Sequence, residues 1–156
     1  MEGRNLTLET RNVDWVEARE APKTPALRIQ FGESDSGILD RFEDPVTGHA
    51  YPDDIEVTFR LRGSSEESDT RGVLAISHSL TGEYLLELET SEDRIADFVN
   101  AVHWYAEEKD VQVRYEVWLC TEEGLIWDYE KHGLLVRGDD GDLLRSRSLI
   151  PTWLEV

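Results

Sequence analysis

The chain has 156 residues, of which 34 are Asp or Glu and 16 are Lys or Arg, giving a formal net charge of −18. That length suits one domain with a buried core, and five Trp, five Tyr and four Phe argue against intrinsic disorder. So acidic a chain argues against direct DNA or RNA binding, because a polyanion is held by clustered Lys and Arg.

In chain order, Leu6 and Leu8 open a first alternating segment, and Leu27, Ile29 and Phe31, interleaved with Arg28 and Gln30, form a second. Residues 17–24 and 63–70 read as surface loops, the latter carrying a Ser-Ser-Glu-Glu-Ser-Asp run, and residues 37–42 as a short helix ended by Pro45. The clearest strand is 54–62, where Ile55, Val57, Phe59 and Leu61 share one face and Glu56, Thr58, Arg60 and Arg62 the other. Residues 72–80 and 83–90 form a hairpin about Thr81-Gly82. Strands over 111–121 and 125–136 follow as a second pair joined by Glu122-Glu123-Gly124, and 143–150 is the last strand before Pro151. One wet face per strand predicts antiparallel pairing.

A single substantial helix is predicted over 91–109, from Ile95, Phe98, Val99, Val102 and Tyr105 or Ala106 at three- and four-residue spacing. Thr90, three residues before Asp93, has the form of a capping box, and acids in the first turn suit the helix dipole. About eight strands with one helix make a single α+β domain, mainly antiparallel and sandwich-like, in which the helix covers an apolar face.

No run reaches the ~18 apolar residues of a membrane span, and Met1-Glu2-Gly3-Arg4-Asn5 lacks the apolar stretch of a signal peptide. A cytoplasmic location is expected. Only Lys23, Lys109 and Lys131 are lysines, so arginine carries most of the positive charge. An acid-rich, lysine-poor chain fits a salt-rich cytoplasm, where a short Debye length screens self-repulsion; an acidic mesophilic protein is the rival reading.

The stretches Leu6-Thr7-Leu8-Glu9, Asn12-Val13-Asp14-Trp15-Val16, Thr81-Gly82-Glu83-Tyr84 and Ser148-Leu149-Ile150-Pro151 resemble a haloarchaeal family of uncharacterised proteins. The resemblance implies a compartment and a lifestyle. It implies no activity, cofactor or binding residue.

No Gly-x-Ser-x-Gly elbow, dinucleotide fingerprint or phosphate-cradling loop is present. The lone Cys120 permits no intrachain disulfide and reads as a small filler or edge residue. His49, His78, His103 and His132 lack a His or Cys at metal-ligand spacing. The Asp139-Asp140-Gly141-Asp142 cluster lacks the EF-hand spacing and reads as a solvated turn. Neither catalytic, cofactor-binding nor metal-binding residues are assigned, and no cofactor is expected.

Arginines, by contrast, fall at outward strand positions: Arg28, Arg60, Arg62 and Arg114, with Arg145 and Arg147 on the last segment. They make either cross-strand pairs with Glu56, Glu87, Glu89 and Glu116 or a docking patch. Trp118 sits at a polar-face position of its strand and is a candidate anchor. The expected function is a non-enzymatic domain that binds a protein or its own copy, through a surface including Trp118, Arg60, Arg62 and Arg114. The alternative is a small-molecule or cation-binding module, possibly an enzyme without a local motif, with its pocket between helix and sheet.

Overall fold

The computed structural model describes residues 6–32, 55–62, 71–78 and 84–150. The turn expected at Thr81-Gly82, the helix at 37–42, the loop at 63–70 and His49 lie outside them.

Among the described residues, eight strands form two mixed four-stranded sheets. Sheet A runs β1 (Thr7–Arg11), β2 (Ala26–Gln30), β6 (Tyr115–Thr121), β7 (Gly124–Lys131). Sheet B runs β5 (Tyr84–Ser91), β4 (Arg71–His78), β3 (Ile55–Arg62), β8 (Leu135–Arg137). A four-residue helix α1 (Trp15–Ala18) follows β1, and the long helix α2 (Glu92–Lys109) joins β5 to β6.

Alternation builds both sheets. In β3 every odd residue from Ile55 to Leu61 is buried and the even ones are half-buried or exposed. Register aligns these inward residues into rows, Leu88–Leu74–Phe59–Val136 in sheet B and Leu27–Val117–Tyr129 in sheet A. Both apolar faces enter one core. Strand β1 comes against β5 at one side, and at the other the Lys131 ammonium on β7 donates to the Ile55 carbonyl at 2.6 Å. The sheets thus turn their apolar faces into one shared core, with their second faces outward.

Helix α2 seals this core. Ser91 is its N-cap, its hydroxyl accepting from the Arg94 amide at 3.2 Å. Thr90 does not cap the helix; it is buried at the end of β5. Glu92 and Asp93 sit in the positive first turn, and Asp110 ends the helix in a left-handed conformation. Phe98 and Val102 are fully buried, and the Phe98 ring meets Tyr115 edge-on at 5.3 Å. The Tyr115 hydroxyl donates to the Gly133 carbonyl at 2.6 Å. Complete burial raises its pKa far above the phenol range.

Three expectations need correction. Two pairings are parallel, β2 with β6 and β3 with β8, because the partner strands are reached by long excursions rather than tight turns. The segment 125–136 is two strands in different sheets: the chain leaves sheet A after Lys131 and enters sheet B at Leu135. Residues 143–150 are not a strand. They make two isolated bridges, Arg137 with Leu143 and Leu134 with Leu149, around a 3-10 turn at Arg145–Arg147. Buried Ser148 explains that geometry: its hydroxyl accepts from the Val136 amide and donates to the Leu144 carbonyl, both at 2.8 Å.

Candidate interaction surface

Outward positions of sheet B carry the arginines. Parity places Arg60 and Arg62 on the face opposite Phe59 and Leu61. Register sets Arg71 of β4 directly across from Arg62, and Arg137 of β8 across from Arg60, with Val73 on the other side of Arg60. Four guanidinium groups therefore share one end of this face, and all four residues are exposed.

Their partners divide them. Glu89 on the edge strand takes Arg71 at 3.0 Å and Arg62 at 3.5 Å, one carboxylate between two guanidiniums. Arg60 and Arg137 bond instead to main-chain carbonyls of the adjoining turn, Asp139 at 3.0 Å and Gly141 at 3.2 Å. The turn is fixed by Asp140, whose carboxylate accepts from the Asp142 amide at 3.0 Å, and by Gly141 at φ 92°. Carbonyl bonding orients a guanidinium without neutralising it. Beside these groups lies an open groove of about 430 Å³ lined by Arg60, Arg62, Val73, Tyr84, Glu87 and Asp139. Tyr84 is exposed at its edge.

Trp118 lies elsewhere, on the outer face of sheet A. The row there is Glu9–Arg28–Trp118–Asp128. Glu9 takes Arg28 at 3.3 Å and Arg11 at 2.6 Å, so the β1–β2 half is paired within itself. The β6–β7 half is acidic, with Glu116 and Glu130 opposite one another and Asp128 opposite Trp118. The half-buried indole donates to Glu116 at 2.7 Å, which fixes its orientation. Asp128 has a pKa raised by partial burial first, then by the charge of Glu116, a hydrogen bond to Glu116, and the charge of Glu130.

Arg114 joins neither face. It precedes β6 and donates to the Tyr105 hydroxyl at 3.0 Å, with its guanidinium carbon 5.6 Å from that ring's centre. Thr24 donates to the same hydroxyl at 3.0 Å. These two bonds, Thr24 first, lower the Tyr105 pKa, and the bond to Tyr105 raises that of Arg114. Arg114 is a brace linking helix α2 to the start of β6. Arg145 and Arg147 lie on the 3-10 turn, where Arg147 pairs with Glu92 at 3.0 Å.

The four candidate surface residues thus separate: Arg60 and Arg62 together, Trp118 on the far face, Arg114 under the helix. Arg71 and Arg137 escaped the sequence reading because each lies one residue outside a predicted strand, 72–80 and 125–136. The space between helix and sheet is filled by Phe98, Val102 and strand apolars. Cys120 is buried, and His132 bonds the Val113 carbonyl at 3.0 Å. Among the described residues no group of three or more His, Cys, Asp and Glu is placed to hold a metal ion, and no helix is long and apolar enough to cross a membrane.

The family model described as Family of unknown function (DUF5793) matches residues 1–156. No curated protein and no solved structure matches the chain.

Proposed function

The chain belongs to the DUF5793 family of unknown function, and from that premise we propose that it is a non-enzymatic interaction domain whose binding face is the outer surface of sheet B, engaging an acidic protein surface. The observation that carries this is the convergence of Arg60, Arg62, Arg71 and Arg137 on one exposed sheet end of a chain with net charge −18. Folding alone asks for no such grouping, since like charges directly opposite in a sheet are unfavourable. Arg62 and Arg71 are such a pair, bridged among the described residues by Glu89.

Guanidinium suits this task. It binds carboxylate in a planar fork and stacks on aromatic rings, and it cannot lose its charge. The setting we propose is a salt-rich cytoplasm, where long-range repulsion between acidic proteins is screened and short, hydrogen-bonded Arg–carboxylate contacts persist. Against the ligand-pocket alternative stands the filled helix–sheet space, the place where such a pocket was expected.

The test is fluorescence anisotropy with a dye-labelled peptide of Asp, Glu and one Trp, in about 0.5 M salt. Replacing Arg60 and Arg62 by Ala should weaken binding at least about tenfold, or about 1.4 kcal/mol. Replacing Arg11 and Arg28 by Ala on the other sheet should leave it unchanged. Equal affinity for the first variant and the parent chain would refute the assignment.

A further inference from the structure

The two outward faces of this fold are opposite in local charge and alike in geometry. At one end of sheet B four guanidiniums gather, Arg62 and Arg71 on the Glu89 carboxylate and Arg60 and Arg137 on main-chain carbonyls, with Glu87 and Asp139 lining the groove beside them. On the β6–β7 half of sheet A three carboxyl groups, Glu116, Asp128 and Glu130, surround Trp118. Both sets sit on neighbouring strands, so their spacings follow the same lattice: about 4.8 Å between strands and about 6.8 Å between residues two apart along one. Glu116 and Trp118 are two apart on β6, as Arg60 and Arg62 are on β3.

We propose that the occupant of the arginine face is a second copy of this chain presenting the outer face of sheet A, with Trp118 seated in the groove beside Arg60, Val73 and Tyr84 and with Glu116, Asp128 and Glu130 facing the arginines. The inference rests on the reading of sheet B as the binding face and adds the partner. The groove, at about 430 Å³, lies in the range of about 300–1,000 Å³ that accepts a small ligand and so has room for one aromatic side chain. Arginine against an indole face adds a cation–π term, and Trp and Arg are the residues that most often dominate interfaces.

Charge selects this pairing over its rivals. Two copies of net charge −18 repel unless the surfaces that meet neutralise each other. Sheet A against sheet A would set two all-carboxyl clusters together; A against B sets three carboxyl groups before four guanidiniums, of which Glu89 occupies two, Arg62 and Arg71, while Arg60 and Arg137 are held by main-chain carbonyls. Within one chain the two faces point away from each other across the core, so they meet only between copies. The contact is heterologous and leaves each end of a pair with one unused face. Assembly therefore continues beyond the dimer as concentration rises.

That property supplies the test. Arg60→Glu with Arg62→Glu disables one face, and Trp118→Ala with Asp128→Lys disables the other; circular dichroism and thermal melts verify that both variants fold. Size-exclusion chromatography with light scattering is run in about 0.5 M salt, where the Debye length is a few ångströms. The parent chain should increase in mass with concentration past twice its 17.9 kDa. Each variant alone should remain at monomer mass. An equimolar mixture should stop at twice that mass, because one intact face of each kind remains.

A parent chain that stays monomeric, variants that assemble as the parent does, or a mixture that does not pair would each overturn the proposal. The acidic-peptide titration separates the failures. If the parent is monomeric yet the arginine variants lose the peptide, sheet B is the binding face and its partner is another protein. If those variants keep the peptide, both readings fall together.

Discussion

Inward, Ile29, Val117 and Leu119 of sheet A and Val57, Phe59 and Ile76 of sheet B are interchangeable in kind, each at most 3% exposed. Outward, the sheets part: one sets Trp118 among carboxyl groups, the other sets arginines around Val73. The inward residues answer to burial, which asks only for apolar bulk at every second position. The outward ones are under no such demand, so a sorted pattern there is informative about what the face meets.

The comparison breaks most completely at Phe98, which belongs to neither sheet and supports both. It is fully buried and stacked edge-on against Tyr115. Phe98→Ala should cost about 3–5 kcal/mol through lost burial and the cavity left behind. Urea denaturation should show one displaced transition, with peptide binding and self-assembly lost in the same denaturant range. Two separate transitions would mean that the sheets do not share one cooperative core.

A smaller change should disturb one face alone. Gly72 on β4 lies beneath the Phe59 ring, and a Cβ there would come within 2.4 Å of the Arg60 carbonyl and 2.6 Å of the ring. Main chain cannot move aside cheaply, so Gly72→Ala should destabilise by about 1–3 kcal/mol. Arg60 would shift with its carbonyl. Binding through sheet B should weaken while the sheet A face, offered to the mixing experiment, still pairs. Unchanged stability would show that β3 and β4 slide apart more freely than a ladder of eight register pairs suggests.

How far such faces can be read from sequence depends on which residue sets the boundary. Strand 54–62 and helix 91–109 were legible because their periods are long and unbroken, and they match Ile55–Arg62 and Glu92–Lys109. Arg60 and Arg62 were placed together for the same reason. Arg71 and Arg137 were not, since strand ends carry no periodic signal and Gly72 and Val136 looked like termini. The turn of 143–150 was hidden because Ser148 replaces a sheet bond with a side-chain one, and nothing local marks a hydroxyl that caps another strand. Trp118 was set at a polar-face position and the second hairpin put β7 beside β6, but sequence alone does not say that β2 is the other neighbour, and so does not reveal that Arg28 flanks Trp118. Arg114 shared the outward look of Arg60 only until Tyr105, nine residues earlier on the helix, came within bonding distance.

The smallest effect is the most discriminating, because it moves stability and assembly in opposite directions. Asp128 has a folded pKa above its ordinary 3.8, from partial burial and from Glu116 and Glu130. Between the unfolded and folded values the native state holds more protons than the unfolded one, so stability falls as pH rises through that window. Above it the ionised carboxylate is a standing penalty, held under about 1 kcal/mol by solvent screening at this exposed position. Asp128→Asn supplies at every pH the donor to Glu116 that only the protonated acid offers, and removes the penalty. The monomer's melting temperature at neutral pH should therefore rise slightly relative to the parent, and the difference should vanish below the ordinary carboxylate range. Self-assembly should weaken in the same variant, because one of three carboxylates facing the arginines is gone. A variant more stable and more strongly associated would assign Asp128 to folding alone and take it out of the docking face.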